Sequence, residues 1–424
     1  MTNSKRRKYN FPARFLWGAA VAAHQVEGGL HNQWTVWELE NARSLAARSS
    51  YQYDDLVSWQ RVGREARSPH NYVSGRGIDH FRRYRDDFKL LKKLELNAFR
   101  FSIEWSRVEP EQGEWSVEAI DYYRHYLRSL KSMGIVPIVT LLHFTLPVWF
   151  AEMGGFEKRR NIKFFVRFAT RIIDELGADL GFVVTINEPT VYMNESYVAG
   201  SWPPNKTSKL AAIRVLLNQI RAHKQVYRQS KRSQHARKLK LSMAHHIVYF
   251  YPGDTSWVSK SSSAIAGYFA NNFTISRVRR HSDYLAVNHY MSFRMFGMRA
   301  HNSELLDVSD LGWDIQPECL EFVLEDAWER FRLPILITEN GLADGIDEKR
   351  VAWLQTTIAA MDKAIKSGVR LIGYLHWSFM DNFEWDKGYW PKFGLVSVDR
   401  KTMERTVRPS AEWLAGVIRK LRGD

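Results

Sequence analysis

Eight short apolar runs recur along the chain with amphipathic stretches between them, and this alternation limits the possible folds more than any other feature. The runs are Phe15 to Ala20, Ala98 to Ile103, Val136 to Leu142, Phe182 to Asn187, Leu239 to Ala244, Tyr284 to Asn288, Ile335 to Thr338 and Leu371 to His376. Short apolar runs bounded by turn signals read as buried strands, and strands alternating with helices read as a parallel α/β fold. Several intervening stretches carry helix punctuation. Asp347-Glu348 opens a run of period 3.6 through Val351, Leu354, Ile358, Met361 and Ile365, which Gly368 closes. Asp79 through Leu94 and Val117 through Met133 show similar faces, the second closed by Gly134. An open doubly wound sheet would carry a glycine-rich phosphate loop after its first strand, and Gly75-Arg76-Gly77 has neither the spacing nor the context. The expectation is an α/β chain forming a single (β/α)8 TIM barrel, with a basic tail over 1–8 and one catalytic domain over 9–424.

Two of these runs end alike. Phe182-Val183-Val184-Thr185-Ile186-Asn187-Glu188-Pro189 and Pro334-Ile335-Leu336-Ile337-Thr338-Glu339-Asn340-Gly341 each lead from an apolar strand into a carboxylate and then a breaker. In a parallel barrel the C-terminal ends of all strands share one face, so acids far apart in sequence can meet there. Two facing carboxyl groups can cleave a glycosidic bond, one acting at the anomeric carbon and the other at the leaving oxygen. Each acid alone could equally cap a strand end or pair with a surface lysine.

Composition narrows the classes. The 424 residues carry 61 Lys and Arg against 46 Asp and Glu, a net charge of +15, with the basic residues scattered rather than striped. This reads first as a solvated basic surface, with attraction to acidic polymers or anionic membranes as the lesser reading. Cys319 is the sole cysteine, so no intrachain disulfide forms. The basic N-terminus leads into no sustained apolar stretch, and no run is long enough to cross a bilayer, which sets the expectation of a cytoplasmic protein without a membrane partner. Asn-x-Ser/Thr patterns begin at Asn194, Asn205 and Asn272 and are read as chance occurrences. No motif calls for a cofactor or metal, since His143 lacks any His-Glu-x-x-His companion.

Further motifs turn this reading into a resemblance. Phe15-Leu16-Trp17-Gly18-Ala19-Ala20, His24-Gln25-Val26-Glu27-Gly28 and Phe99-Arg100-Phe101-Ser102-Ile103-Glu104-Trp105-Ser106-Arg107 come first. Leu142-His143-Phe144-Thr145-Leu146-Pro147, Asn187-Glu188-Pro189, Asn288-His289-Tyr290 and Thr338-Glu339-Asn340-Gly341 follow, and the series ends in His376-Trp377-Ser378-Phe379-Met380-Asp381-Asn382-Phe383-Glu384-Trp385. Together, in this order and over nearly the whole chain, they resemble glycoside hydrolase family 1, the retaining β-glycosidases. The resemblance implies Glu339 as nucleophile and Glu188 as general acid and base, with Arg100, Tyr290 and Asn288 supporting the nucleophile. It also implies that Gln25, His143, Phe144, Asn187, Trp377, Glu384 and Trp385 hold the sugar, with Trp377 as the floor beneath its ring. Members acting on 6-phosphorylated sugars place a serine at the position of Glu384, so the acid implies unphosphorylated glucosyl, galactosyl or fucosyl residues. The implied partner is a small β-glycoside or oligosaccharide, and no specific nucleic acid. The oligomeric state is not legible.

The chain departs from this family in two shortened regions, 41–77 and 252–280. The first is expected to be a polar excursion over one end of the barrel, with room for short helices, and the second a serine-rich stretch with one helix. Phe144 stands where many relatives have tryptophan, and His289 where tyrosine is common. Shorter loops would open the pocket and leave room for an apolar ligand. Two rival readings are a carbohydrate-binding protein with little turnover and a nucleic-acid-associated protein drawn by the +15 charge.

Overall fold

The computed structural model describes residues 9–234, 236–301 and 307–423. Eight parallel strands close into a barrel: β1 (Leu16–Ala20), β2 (Ala98–Ser102), β3 (Val136–Thr140), β4 (Phe182–Asn187), β5 (Lys240–His246), β6 (Leu285–Asn288), β7 (Ile335–Asn340) and β8 (Leu371–Trp377). Each pairs with the next in sequence, and β8 pairs with β1, with Leu16 opposite Gly373 and Ala20 opposite Trp377. All eight expected runs are barrel strands, with ends moved by at most a few residues.

Strand alternation explains the core. Along β2, Ala98 joins Ile138, Val184, Ala286, Leu336 and Leu375 in one buried cluster. Phe99 and Phe101 point the other way, against Phe88 of helix His80–Lys93 and Tyr126 of helix Val117–Ser132. Period-2 alternation therefore aims Arg100 with Ala98, away from the helices. The outer ring includes helices Ile162–Leu176, Lys209–Arg232, Cys319–Phe331, Arg350–Lys366 and Pro409–Arg422. No helix among the described residues is long and apolar enough to cross a membrane.

The structure corrects three local expectations. The region 41–77 holds more than short helices: the long helix Gln33–Tyr53 runs through its first part and helix Trp59–Ala66 follows. Asn32 caps the longer helix, its side chain accepting from the amides of Trp34 and Thr35 while Thr35 Oγ1 accepts from the Asn32 amide. Its buried stripe mixes Trp34, Trp37, Leu45 and Tyr53 with the small Ala42, Ala46 and Ser49, which give little apolar periodicity, while Leu39 and Tyr51 face solvent. The later helix begins at Arg350 rather than Asp347, because the Asp344 carboxylate accepts from the amides of Lys349 and Arg350. The stretch 252–280 holds two helices, Trp257–Gly267 and Phe273–Val278, joined by a wide helical turn. It packs on a small sheet of Tyr249–Pro252, Ser292–Phe296 and Arg299–His301 that no sequence pattern announced. Gly341, read as the breaker after the acid, does follow the last residue of β7, Asn340. A Cβ on Gly341 would overlap the carbonyl oxygen of Trp377, so glycine is required by the close approach of β8.

Candidate active site

Glu188 and Glu339 both line one pocket of about 630 Å3 at the C-terminal ends of the strands. Both strands slip register immediately before their acid: β4 against β5 between Val184 and Asn187, and β7 against β6 between Ile337 and Glu339. A regular strand sends consecutive side chains to opposite faces, and a slip re-aims one of them. Thr338 and Glu339 consequently both engage the site. Glu188 is placed by a further device, a left-handed backbone with φ 40° and ψ 62° just before Pro189 opens helix Pro189–Asn194. Its amide donates to Ala244 O at 3.0 Å, which fixes this uncommon conformation.

The carboxyl groups share one hydrogen-bond network. Arg100 Nη1 donates to Glu339 Oε1 and, at 3.2 Å, to Thr338 O, while Nη2 donates to Asn187 Oδ1 at 2.7 Å and Nε to Thr140 Oγ1 at 3.0 Å. Tyr290 donates its hydroxyl to Glu339 Oε2 at 2.7 Å. Asn288, expected to support Glu339, instead donates Nδ2 to Glu188 Oε1 at 2.7 Å and to Asn187 Oδ1 at 3.2 Å, and its Oδ1 accepts from Thr338 Oγ1 at 2.6 Å. The reason is the register slip: Asn288 lies opposite Glu339 in the ladder, so its side chain extends across the barrel mouth towards β4.

Electrostatics follow from this geometry. Burial pushes both carboxyls above the usual range. Arg100 opposes the rise at both, Tyr290 opposes it at Glu339, and the Asn288 amide opposes it at Glu188. Like charge across the pair resists full ionisation, so the two groups titrate as a unit. Burial also lifts Glu384 to about 8, with Lys387 opposing and the charges of Glu339, Asp386 and Glu188 reinforcing. Burial and then Arg100 hold His143 well below its ordinary value, so its imidazole is neutral at pH 7.

Of the residues anticipated from sequence, His143, Phe144, Glu188, Tyr290, Glu339, Trp377, Glu384 and Trp385 line the pocket. Arg100, Asn187 and Asn288 stand behind this lining and hold it in place. Gln25 is buried beside it, donating Nε2 to Phe383 O at 2.6 Å. His143 packs flat on Trp377 at 5.8 Å, and Phe144 meets Trp385 edge-on at 5.1 Å. Three buried polar atoms, Gln25 Oε1, His143 Nδ1 and Glu384 Oε2, have no hydrogen-bond partner among the described residues. Buried polar groups are nearly always paired, so these await a polar ligand or water. An aromatic floor with unpaired polar atoms around it suits a sugar, whose ring has apolar faces and a hydroxyl rim.

Sequence reasoning missed part of the wall. Trp202, Asp386 and Lys387 line the pocket; Trp202 Nε1 donates to Asp386 Oδ1 at 2.9 Å and Lys387 Nζ lies 3.0 Å from both Asp386 oxygens. The adjacency of Asp386 and Lys387 to Glu384-Trp385 was the available signal. Farther out the wall turns apolar, with Val191, Val248, Phe250, Ala270, Met291 and Phe293. Ala270 comes from 252–280, Phe250 and Phe293 from its supporting sheet, Val248 and Met291 from the residues leading into that sheet, and Val191 from helix Pro189–Asn194.

Comparison with known proteins gives a consistent picture. The sequence profile of glycosyl hydrolase family 1 matches residues 7–291 and 265–422. Beta-glucosidase A of Thermotoga maritima is 27% identical over an alignment covering 96% of this chain and 98% of that protein. The solved structure of a β-glycosidase from Pyrococcus horikoshii superposes with a TM-score of 0.84 at 30% identity, covering 97% of this chain and 95% of that one. The chloroplastic galactolipid galactosyltransferase SFR2 of Arabidopsis thaliana is 29% identical across 78% of this chain, which spans 56% of that longer protein.

Proposed function

The chain belongs to glycosyl hydrolase family 1 and is a β-glucosidase-like glycoside hydrolase, and on that premise we propose that it cleaves terminal β-glucosyl residues with retention, through a covalent glycosyl-enzyme. Related β-galactosyl and β-fucosyl residues fit the same reading. The unequal setting of the two acids carries it. Glu339 faces a guanidinium and a hydroxyl that both favour its anion, whereas Glu188 receives a single neutral amide. Glu339 is therefore the member that ionises first, and its charge helps to keep the proton on Glu188.

In the first step a Glu339 oxygen bonds to the anomeric carbon, the bond to the aglycone oxygen breaks, and the Glu188 proton passes to that oxygen. Esterification removes the charge on Glu339, so Glu188, now a carboxylate, sits beside a neutral group. It takes a proton from water as the water oxygen bonds to the anomeric carbon, and the ester bond breaks to regenerate Glu339. Gln25, His143, Asn187, Glu384 and Trp385 hold the sugar hydroxyls, Trp377 supports the ring and Phe144 closes one wall. Neutral His143 and unpaired Glu384 Oε2 are suited to uncharged hydroxyls.

The test is hydrolysis of nitrophenyl β-glycosides, with the anomeric configuration of the first-formed sugar followed by NMR. Initial release of the α-anomer would overturn the retaining mechanism, and no hydrolysis at all would return the chain to sugar binding without turnover. A second reading, transfer of the sugar to an apolar acceptor, is favoured by the apolar outer wall and by likeness to a galactolipid galactosyltransferase. Water and a second hydroxyl compete for the same ester, and product analysis with an added long-chain alcohol distinguishes them.

A further inference from the structure

Helix Trp257–Gly267 and the turn that follows it are inside out. Ser259 and Ser263 are buried, and Ser259 Oγ accepts from the Gly297 amide at 2.7 Å while Ser262 Oγ donates to Gly297 O. The large apolar side chains face solvent instead: Trp257 is 79% exposed, Ile265 58% and Phe269 64%, with Val258 and Tyr268 also exposed. At 100° per residue these five positions fall within one arc of about 120°, interrupted only by the small Ser261, which makes an apolar stripe. Ordinary amphipathic helices bury that stripe. The Gly297 contacts bring the adjoining hairpin tip against the same helix, adding Met298 at 85% exposure.

The patch continues into the pocket. Ala270 directly follows Phe269 and lines the pocket, and so do Phe250 and Phe293 of the small sheet whose hairpin carries Met298. Cations lie on the same elements. The helix and the hairpin carry Lys260, Arg294 and Arg299, with Asp254 as the acid beside them. The helix Cys319–Phe331 that packs on the small sheet adds Glu321, Glu325 and Asp326, of which Glu321 is paired with Lys363 and Asp326 with Arg330. Beyond the turn, Arg277 of helix Phe273–Val278 acts on Lys224, which lines a basic cleft with Arg159, Arg160, Lys163, Arg221 and Arg228. Exposed apolar side chains flanked by cations match a lipid bilayer with anionic headgroups. Two copies of this chain would instead oppose like charges, and a nucleic acid would leave the tryptophan and isoleucine without an apolar partner.

We propose that the face formed by 257–269 and the 297–299 hairpin docks on an anionic lipid bilayer and sets the pocket mouth at the headgroup layer, where β-glycosides with lipid aglycones are presented. Docking departs from the expectation of no membrane partner. The substrate class rests on the glycosidase reading, whereas docking does not.

The experiment is co-sedimentation of the full chain with phosphatidylcholine vesicles containing one third phosphatidylglycerol, and with pure phosphatidylcholine vesicles. The comparison variant is Trp257→Ser/Ile265→Ser/Met298→Ser, none of which lines the pocket. Wild type is expected to bind the anionic vesicles at least tenfold more tightly than the neutral ones, and the triple variant to lose at least tenfold. That variant should keep its rate on a soluble nitrophenyl β-glucoside within twofold, while its rate on a β-glucosyl diacylglycerol embedded in the anionic vesicles falls at least tenfold. Absence of vesicle binding by wild type overturns the docking proposal. Self-association that the triple substitution abolishes, without vesicle binding, also overturns it in favour of a second copy. Vesicle binding without hydrolysis of either glucoside overturns the substrate class and leaves docking standing.

Discussion

Asn288 spans the two strands that lead to Glu188 and Glu339: its amide nitrogen donates to Glu188 at 2.7 Å while its amide oxygen accepts from Thr338, the residue before Glu339, at 2.6 Å. One neutral side chain thereby couples the position of each acid to the other. Because its donated hydrogen bond favours the Glu188 anion, Asn288 also restrains how far burial can raise that group.

Asn288→Ala should therefore raise the pKa of Glu188 by roughly one unit, the equivalent of about 1.4 kcal/mol for a hydrogen bond to a charged group. A general acid must be protonated to act, so the alkaline limb of kcat/KM moves to higher pH. An unmoved limb in the pH profile of a nitrophenyl glucoside would detach Glu188 from that limb.

Glu339→Ala removes the group proposed to bond to the anomeric carbon, and kcat should fall on the order of 10⁴-fold or more. A small anion such as azide can enter the space vacated and attack from the same side. Its glycosyl product should then carry the α configuration, detectable by NMR, and a β-glycosyl azide would sink the assigned role.

Arg100→Lys keeps the positive charge but loses the planar fork that reaches Glu339, Thr338 O and Asn187 at once. Activity should drop about 10²-fold through misplacement of the nucleophile, with a smaller change in KM. Steady-state kinetics on one soluble glucoside decide the point, and near-normal kcat would show that charge alone suffices.

Asp87 offers a test away from the pocket. Burial by itself would raise its carboxyl, but His80 at 2.7 Å and Arg405 at 2.8 Å outweigh that and hold it below its ordinary 3.8. A pKa depressed by folding contributes stability above the unfolded value and loses it as pH falls through the folded one. Resistance to urea should thus weaken steeply below pH 4. Asp87→Asn should cost roughly 3 kcal/mol at pH 7 by stranding Arg405, and should flatten that acid limb. An unchanged limb in the variant would assign it to other carboxylates.

The sequence was most legible where one rule acts locally. Buried parallel strands must be apolar throughout, so all eight were readable, and Phe182–Asn187 was found with its bounds intact. Glu188 and Glu339 stood out because each follows such a run. The 33–53 helix was harder, since its inner face mixes Trp34, Trp37, Leu45 and Tyr53 with Ala42, Ala46, Ser49 and the buried acid Glu38, which blurs the periodic signal. Helix 257–267 reverses the usual rule: its serines pack inward and its apolar residues lie outside, so periodicity alone could not tell which face is buried.

By itself, the order of apolar runs and motifs determined the barrel and the family likeness and singled out Glu188 and Glu339 as the candidate pair, because burial and strand periodicity are written residue by residue. Only the tertiary structure decided that register slips re-aim both acids, that Asn288 serves Glu188, and that an apolar stripe adjoins the pocket. Those facts depend on which strand lies beside which, and on how far each has slid, and a linear pattern carries neither.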